Sequence, residues 1–252
     1  MTTREVVRYA NADSLAEATV GRLVATVVEA QNQRGIAHVV LTGGAIGTTV
    51  LATLASSPSI EAIDWENIHL WWGDERWENA GSDVRNDTAA HTVLIDQVSI
   101  PRHHVHAILG PDRCQTPELS AQTYARELTE CGNGAPPEFD VVLLGIGPDA
   151  HVASLFPEHP ATHSHDIVVA VRNSPKPPAV RVSLTFSTLN NSRQAWILAS
   201  GESKAQAVRL ALDPSAGPLQ VPASGIAASH TYFLIDEDAA KELPVDFSRP
   251  GA

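Results

Sequence analysis

Cysteine is scarce in this sequence, and long apolar stretches are missing from it. Only Cys114 and Cys131 occur, without a CxxC pair, which excludes a disulfide framework and favours a reducing compartment. No run approaches the roughly 20 apolar residues that a membrane span needs, and the first residues lack the apolar core of a secretion signal. We therefore expect a cytoplasmic protein with no membrane partner.

Positive charge is also in short supply. The chain has 17 Lys and Arg residues against 29 Asp and Glu residues, and its formal net charge is −12. A nucleic-acid-binding surface needs a basic footprint, so no nucleic-acid partner is expected. In such an acidic chain, Arg and Lys side chains that converge on one place are informative, because they indicate a local site for an anion.

Short apolar runs alternate with helical patterns along the 252 residues. Runs at 37–41, 68–73 and 139–145 are typical of buried strands in an α/β protein. Asp13 is expected to cap the first helix, and residues 104–108 are expected to form a short strand. No repeat or strong linker interrupts the series. We therefore expect one domain over residues 1–252, with 244–252 as a loosely ordered tail.

The most informative stretch is residues 139–157. Its apolar run breaks at Gly145 and Gly147 and delivers Asp149 and His151 just past the carboxyl end of the predicted strand. Open α/β sheets bind their ligands at such strand ends, and histidine is the side chain whose ordinary pKa suits a general base near neutral pH. A βα turn with a surface Asp and His is the simpler alternative.

Two other strand ends carry suggestive residues. Gly43 and Gly44 lie between a predicted strand and a helix, an arrangement that presents backbone N–H groups and a positive helix end to an anion. The turn matches neither GxGxxG nor a Walker loop. Asp74, Glu75 and Arg76 follow the next strand beside three tryptophans, so we expect them to be partly desolvated.

Cations occur in two later segments. Lys176 and Arg181 flank a proline-rich loop, whose stiffness limits the entropy lost when those side chains are ordered. Lys204 falls in the first turn of a predicted helix, against the usual preference for acids there. A cation at that position is sensible if it meets an anion that the helix N-terminus also binds, although an exposed helical lysine is common.

Taken in order, these motifs resemble the 6-phosphogluconolactonase branch of the lactonase and glucosamine-6-phosphate isomerase superfamily. The matching segments are residues 42–44, 74–77, 82–86, 144–151, 153–157, 176–178 with Arg181, Gly201 with Lys204, and 222–223. The resemblance implies an α/β fold with a mostly parallel, Rossmann-like twisted sheet flanked by helices on both faces. It implies that the substrate lies at the carboxyl ends of the strands.

The resemblance also implies an activity, the hydrolysis of 6-phospho-D-glucono-1,5-lactone to 6-phospho-D-gluconate. This reaction is the second step of the oxidative pentose phosphate pathway. It would need neither a cofactor nor a metal, and we expect a monomer or weak homodimer whose partner is the phosphosugar lactone. His151 is the expected general base that activates water, and Asp149 is expected to orient it.

The remaining implied roles concern substrate binding. The 6-phosphate is expected among the amides of Gly43 and Gly44, with Arg181 and Lys204 nearby. Arg76 is a candidate for either the phosphate or the lactone carbonyl. Asp74 matches the position of the acid/base in the isomerase branch, and here is expected to bind sugar hydroxyls.

Two positions depart from the family's pattern. Ala45 stands where a hydroxyl residue is usual, so Thr48, Thr49 or backbone amides would have to bind the phosphate instead. Ala150 stands where glycine is usual between Asp149 and His151. If this position has a positive φ, alanine costs on the order of 1 kcal/mol there.

Three alternatives stay open on the sequence. A sugar-phosphate isomerase or deaminase on the same scaffold could use Asp74, Asp149 and His151, and a non-catalytic sugar-phosphate-sensing domain could share the fold. A metal site is suggested by the closely spaced histidines, but solvent-exposed loop residues are the commoner explanation. The histidines considered are His151, His159, His163 and His165, and the same interpretation is given to His103, His104 and His106.

Overall fold

The computed structural model describes residues 3–244 and 249–250. A central sheet has the strand order β10-β1-β9-β8-β5-β2-β3, and all of its pairings are parallel. Its strands are β1 (Thr3–Tyr9), β2 (Ala37–Leu41), β3 (Ile68–Trp72), β5 (Phe139–Gly145), β8 (Ser192–Ala199), β9 (His230–Asp236) and β10 (Arg249–Pro250). Helices flank the sheet, which confirms the predicted mostly parallel α/β fold.

The α-helices follow the strands in the alternation typical of a doubly wound sheet. They are α1 (Ala12–Arg34), α2 (Gly44–Ser56), α3 (Asn86–Val93), α4 (Pro117–Cys131), α5 (Phe186–Leu189) and α6 (Ala205–Leu212). Strand β5 lies between β2 and β8, and six of its seven residues are buried because both faces of the sheet are covered. None of the described helices is long and apolar enough to cross a bilayer.

A second, antiparallel sheet of three strands stands beside the carboxyl ends of the first. It consists of β4 (Asp74–Arg76), β7 (Arg181–Leu184) and β6 (Val168–Val171) in the order β4-β7-β6. Gly73 joins the two sheets, because its N–H donates to Leu41 and its carbonyl accepts from Leu184. Residues 74–76 were expected just past the end of a strand, and their own strand in a second sheet was not foreseen.

The register of the small sheet places charged residues beside one another. Asp74 pairs with Ser183, and Arg76 pairs with Arg181. Arg76 and Arg181, more than 100 residues apart in sequence, are therefore neighbours on adjacent strands of the small sheet. This pairing depends on topology, which the motif order alone did not reveal.

Two local predictions are wrong. Asn11 caps α1 instead of Asp13. The Asn11 side chain accepts from the backbone N–H of Ser14, and Ser14 Oγ accepts from the backbone N–H of Asn11, which together form a reciprocal capping box. The predicted strand at residues 104–108 is absent. A 3₁₀ turn occupies Arg102–His104, and a single bridge joins Leu70 to Val105.

The predicted loose tail falls mostly outside the described residues. Only Arg249 and Pro250, at its end, are described after residue 244, and they pair with β1. The looseness of the segment and the single-domain assignment stay predictions.

Strand β3 is an edge strand whose outer backbone groups are covered without another strand. His106 N donates to the carbonyl of Leu70 at 2.9 Å. The Tyr124 hydroxyl, from α4, accepts from Trp72 N at 2.8 Å and donates to Trp72 O at 3.2 Å. Tyr124 is fully buried, so one hydroxyl satisfies two backbone groups that water does not reach.

This contact generates a stability prediction. Tyr124→Phe should lower the free energy of unfolding by about 1–3 kcal/mol, because it leaves the Trp72 N–H and carbonyl without a partner inside the protein. Tyr232→Phe is the matched control, since that half-buried ring packs against Arg22 and loses only a hydroxyl. Chemical denaturation of both variants measures the difference, and equal stabilities would contradict the assigned role of Tyr124.

Candidate active site

The carboxyl ends of β2, β3 and β5 meet the small sheet around one open pocket. The pocket is lined by Thr42, Gly43, Gly44, Asp74, Arg76, Asn86, Gly145, Ile146, Gly147, Pro148, His151, Ala153, Lys176, Arg181 and Lys204. Seven of the eight site residues expected from the sequence are in this set. The eighth, Asp149, contacts the His151 side chain. The structure therefore brings these eight residues together.

His151 and Asp149 form a hydrogen-bonded pair in the turn after β5. His151 Nδ1 lies 2.6 Å from Asp149 Oδ1. A carboxylate accepts only, so the Nδ1 hydrogen is assigned to this bond and Nε2 carries the lone pair. Among the described residues, no hydrogen bond engages Nε2. The imidazole is therefore oriented at one nitrogen and available for proton abstraction at the other.

Lys176 completes this pair. Its Nζ lies 2.8 Å from Asp149 Oδ1 and 3.2 Å from His151 Nδ1. Burial works against the carboxylate, but the hydrogen bond from His151 and the Lys176 ammonium outweigh it and hold the pKa of Asp149 well below its usual range. The sequence shows Lys176 beside Pro177 and Pro178 in a stiff loop. It did not indicate that Lys176 would contact Asp149 and His151.

The turn has no room for a side chain at residue 147. A Cβ there would lie 1.9 Å from His151 Nδ1 and 2.4 Å from Asp149 Oδ1. The turn closes through Gly147 N to His151 O and Ala150 N to Gly147 O, both 2.9 Å. The glycine therefore permits the close approach of the two catalytic candidates.

Ala150 has a φ of 62°, the left-handed conformation for which the family's glycine is suited. Because φ is positive at this position, alanine costs about 1–2 kcal/mol of backbone strain there. Its surroundings hold the strained residue in place: Ala150 is 1% exposed, and its carbonyl accepts from Ala223 N at 2.9 Å.

Asp74 lies buried at one wall of the pocket. Its Oδ2 accepts from the Ser154 hydroxyl at 2.5 Å, and Arg181 Nη1 lies 3.9 Å from the same oxygen. The other Arg181 nitrogens donate to the carbonyls of the proline-rich loop, at Lys176, Pro177 and Pro178. Arg181 thus holds the loop that carries Lys176, besides lending charge to the pocket.

Asn86 is a site residue that the sequence analysis missed. Its Oδ1 accepts from Arg76 Nη1 at 2.7 Å, and its Nδ2 donates to Asp74 O at 2.9 Å. A Cβ on Gly43 would lie 1.8 Å from that Oδ1, so the Asn86 amide needs glycine opposite it. The buried Glu75 carboxylate accepts from the amides of Asn86 and Asp87 at 2.8 Å, which fixes the start of α3.

Lys204 faces the amino end of α2. It lines the pocket and also an adjoining cavity formed with Ala45, Thr49 and Ser200. Burial and the nearby Lys176 lower the pKa of Lys204. Among the described residues, no carboxylate forms an ion pair with it. The sequence predicted Lys204 in the first turn of a helix. Lys204 is instead the last residue of a 3₁₀ turn and occupies the N-cap position of α6, one residue before the α-helix begins.

The threonines expected to replace the family's phosphate hydroxyl lie elsewhere. Neither Thr48 nor Thr49 lines the pocket, and the Thr49 hydroxyl donates to Ala45 O at 3.0 Å within α2. The third possibility, backbone amides, fits better. Helix α2 begins at Gly44, and its N-cap, Gly43, provides no side-chain cap.

Known proteins resemble this chain in both sequence and structure. The family model for glucosamine-6-phosphate isomerases/6-phosphogluconolactonase matches residues 10–235. The 6-phosphogluconolactonase of Streptomyces coelicolor is 44% identical, with 99% of this chain and 98% of that protein covered. The Mycobacterium tuberculosis 6-phosphogluconolactonase is 41% identical over 94% and 97%. A 6-phosphogluconolactonase structure from Trypanosoma brucei has a TM-score of 0.82 at 25% identity, covering 97% and 100%.

A substitution at Gly147 tests the hydrogen bond between His151 and Asp149. Gly147→Ala should separate the His151 and Asp149 side chains, so the far-downfield NMR signal of the shared Nδ1 proton should disappear. Overpacking should also cost about 1–3 kcal/mol of unfolding free energy. Gly145→Ala, at the end of β5 just before the turn, is the control because its Cβ would meet nothing closer than 3.8 Å. Retention of the signal in Gly147→Ala would contradict the geometry.

Proposed function

The chain belongs to the glucosamine-6-phosphate isomerase/6-phosphogluconolactonase family, and from that premise we propose that it is a 6-phosphogluconolactonase. It hydrolyses 6-phospho-D-glucono-1,5-lactone to 6-phospho-D-gluconate in the oxidative pentose phosphate pathway. The observation that supports this best is the Asp149–His151 pair, which presents to a pocket rich in cations an imidazole nitrogen that no other described residue engages.

His151 is the proposed general base. Its Nε2 takes a proton from a water molecule as the water oxygen attacks the lactone carbonyl carbon. The imidazolium then returns the proton to the ring oxygen as the carbon–oxygen bond breaks, so the base ends the cycle neutral. Asp149 orients the ring and stabilises the transient imidazolium, and its hydrogen bonds with His151 and Lys176 favour the ionised carboxylate.

The phosphate belongs at the other end of the pocket, in this proposal. Free amides at the start of α2 and the Lys204 ammonium supply hydrogen bonds and charge there. Arg76 joins them because Asn86 ties its guanidinium to the Gly43 side of the pocket. Arg181 contributes charge, but most of its donors hold the Lys176 loop. Asp74 is left to accept hydrogen bonds from sugar hydroxyls.

The isomerase or deaminase alternative is not favoured by the relatives, whose names are those of lactonases. A direct assay separates the two: the lactone is generated in solution and its disappearance is followed against spontaneous hydrolysis. Acceleration supports the lactonase. Isomerase activity without acceleration would reverse the ranking.

We also propose a cytoplasmic location and a monomer or weak homodimer. The location is supported by the two free cysteines, which suit a reducing compartment. Size-exclusion chromatography with light scattering tests the oligomeric state.

The base assignment predicts a loss of turnover. His151→Ala should lower kcat by roughly 10²–10⁴ with little change in unfolding free energy, because general-base catalysis contributes about that factor. Asp149→Asn should lower kcat on the same order, since an amide favours the wrong imidazole tautomer. Steady-state kinetics measure both. Full activity in His151→Ala would remove it as the base.

The phosphate assignment predicts a loss of discrimination. Lys204→Ala should reduce kcat/KM for the 6-phosphorylated lactone by roughly 10–100-fold, the worth of one charged hydrogen bond, and leave the non-phosphorylated lactone nearly unaffected. The exposed Lys241→Ala, which loses ion pairs to Glu202 and Asp238, is the control for removing a lysine. An unchanged ratio of the two kcat/KM values in Lys204→Ala would defeat the assignment.

A further inference from the structure

A second group of chemically active side chains lies at the opposite end of the sheet. His38 and His69 are the second residues of β2 and β3 and stand directly opposite each other in the register. Cys131 is the last residue of α4 and reaches the same place. Asp74, in the pocket, is five residues beyond His69, about 16 Å along an extended chain. This group is therefore separate from the proposed active site.

The three side chains converge closely. One ligand atom from each of His38, His69 and Cys131 lies within 4.8 Å of the others. His69 Nδ1 is 3.7 Å from Cys131 Sγ. A nitrogen and a thiolate sulfur bound to one tetrahedral zinc ion lie about 3.6 Å apart, given bonds of about 2.0–2.1 and 2.3 Å. That pair is already at the spacing a shared metal ion requires.

The surroundings of the three side chains suit a bound cation. His38 and His69 stand side by side on neighbouring parallel strands, and their ring centroids lie 5.0 Å apart. Cys131 stands at the carboxyl end of α4, where the helix dipole favours positive charge. His104 stacks on His69 at 4.0 Å, and its Nδ1 is buried without a hydrogen-bond partner in the described part of the chain.

These observations correct the interpretation of two histidines. His104 and His106 were expected to be solvent-exposed loop residues, but His106 is 5% exposed. His106 Nδ1 lies 2.6 Å from Glu127 Oε1, and its Nε2 lies 2.7 Å from His69 Nδ1. Since the carboxylate takes the Nδ1 hydrogen of His106, its Nε2 accepts a hydrogen from His69.

We propose that His38, His69 and Cys131 form a binding site for a divalent transition-metal ion of the zinc class. Imidazole and thiolate are ligands that zinc prefers, and three protein ligands leave a fourth position for water. Binding releases the thiol proton of Cys131 to solvent and moves the His69 hydrogen from Nδ1 to Nε2. His106 Nε2 is then left as an acceptor for the metal-bound water.

Little is lost when the ion enters. The hydrogen bond between His69 and His106 is given up, together with a long 3.4 Å contact from Trp71 Nε1 to His38 Nδ1. In return the ion joins β2, the edge strand β3 and the end of α4. Because it binds the folded chain, the midpoint of thermal unfolding rises with zinc concentration.

Cobalt(II) serves as a spectroscopic probe of the site in the full chain. After chelator treatment, adding Co²⁺ should produce the near-ultraviolet charge-transfer absorption of a cobalt thiolate, and one equivalent of Zn²⁺ should abolish it. Cys131→Ser should lose the absorption, and Cys114→Ser, the matched control, should retain it. No absorption in the wild type, or its persistence in Cys131→Ser, overturns the proposal.

Zinc affinity locates the ion among the histidines. His69→Gln should weaken Zn²⁺ binding by more than the roughly 10–100-fold that outer-shell changes cause. His103→Gln, on the adjoining exposed turn, and His151→Gln, in the pocket, should bind zinc like the wild type. Loss of binding in His151→Gln with none in His69→Gln would place the metal in the pocket and overturn the site.

A measurement on the wild type covers the case in which a variant fails to fold. Zinc should slow the alkylation of Cys131 by iodoacetamide at least about tenfold, as read by mass spectrometry, because a metal-bound sulfur is a poor nucleophile. An alkylation rate unchanged by saturating zinc contradicts the proposal. None of these readouts uses lactonase activity, so they stand or fall independently of the proposed function.

Discussion

The hydrogen bond between Asp149 and His151 requires a turn in which a side chain at residue 147 has no space. The same turn requires a left-handed residue at position 150, and here the residue is alanine. A positive φ at a buried alanine is tolerated because β5 anchors one side of the turn and Ala223 N binds the Ala150 carbonyl on the other. Backbone strain at Ala150 and tight packing at Gly147 thus both serve to position the His151 imidazole.

Electrostatics impose a second constraint on the pocket. The chain has an excess of acids, yet two of its three lysines line this pocket. The cations there differ in whether protein groups already bind them. Lys176 is bound to Asp149, and the Arg181 guanidinium is bound largely to its own loop. Lys204 forms no ion pair with any described carboxylate and is therefore left for a ligand. Cations that are already paired can organise a site, whereas an unpaired one is better suited to bind an anion.

Sequence reasoning reached the fold and the site residues by different routes. Apolar runs identified the parallel strands, because burial on both faces leaves a local signature. Motif order brought Gly43, Asp74, His151 and Lys204 together. The division into two sheets was not foreseen, since pairing between β4 and β7 is long-range. Asn86 was missed for a related reason: its role comes from contacts with Arg76 and Asp74 that exist only after folding.

The two ends of the sheet differ in chemistry for a reason that parallel topology supplies. Every strand of the main sheet runs the same way, so the carboxyl ends collect helix N-termini, such as that of α2, and favour anions. The amino ends collect helix carboxyl ends, such as that of α4 at Cys131, and favour cations. A phosphate site at one end and a metal site at the other would therefore both agree with the dipoles of the helices beside them.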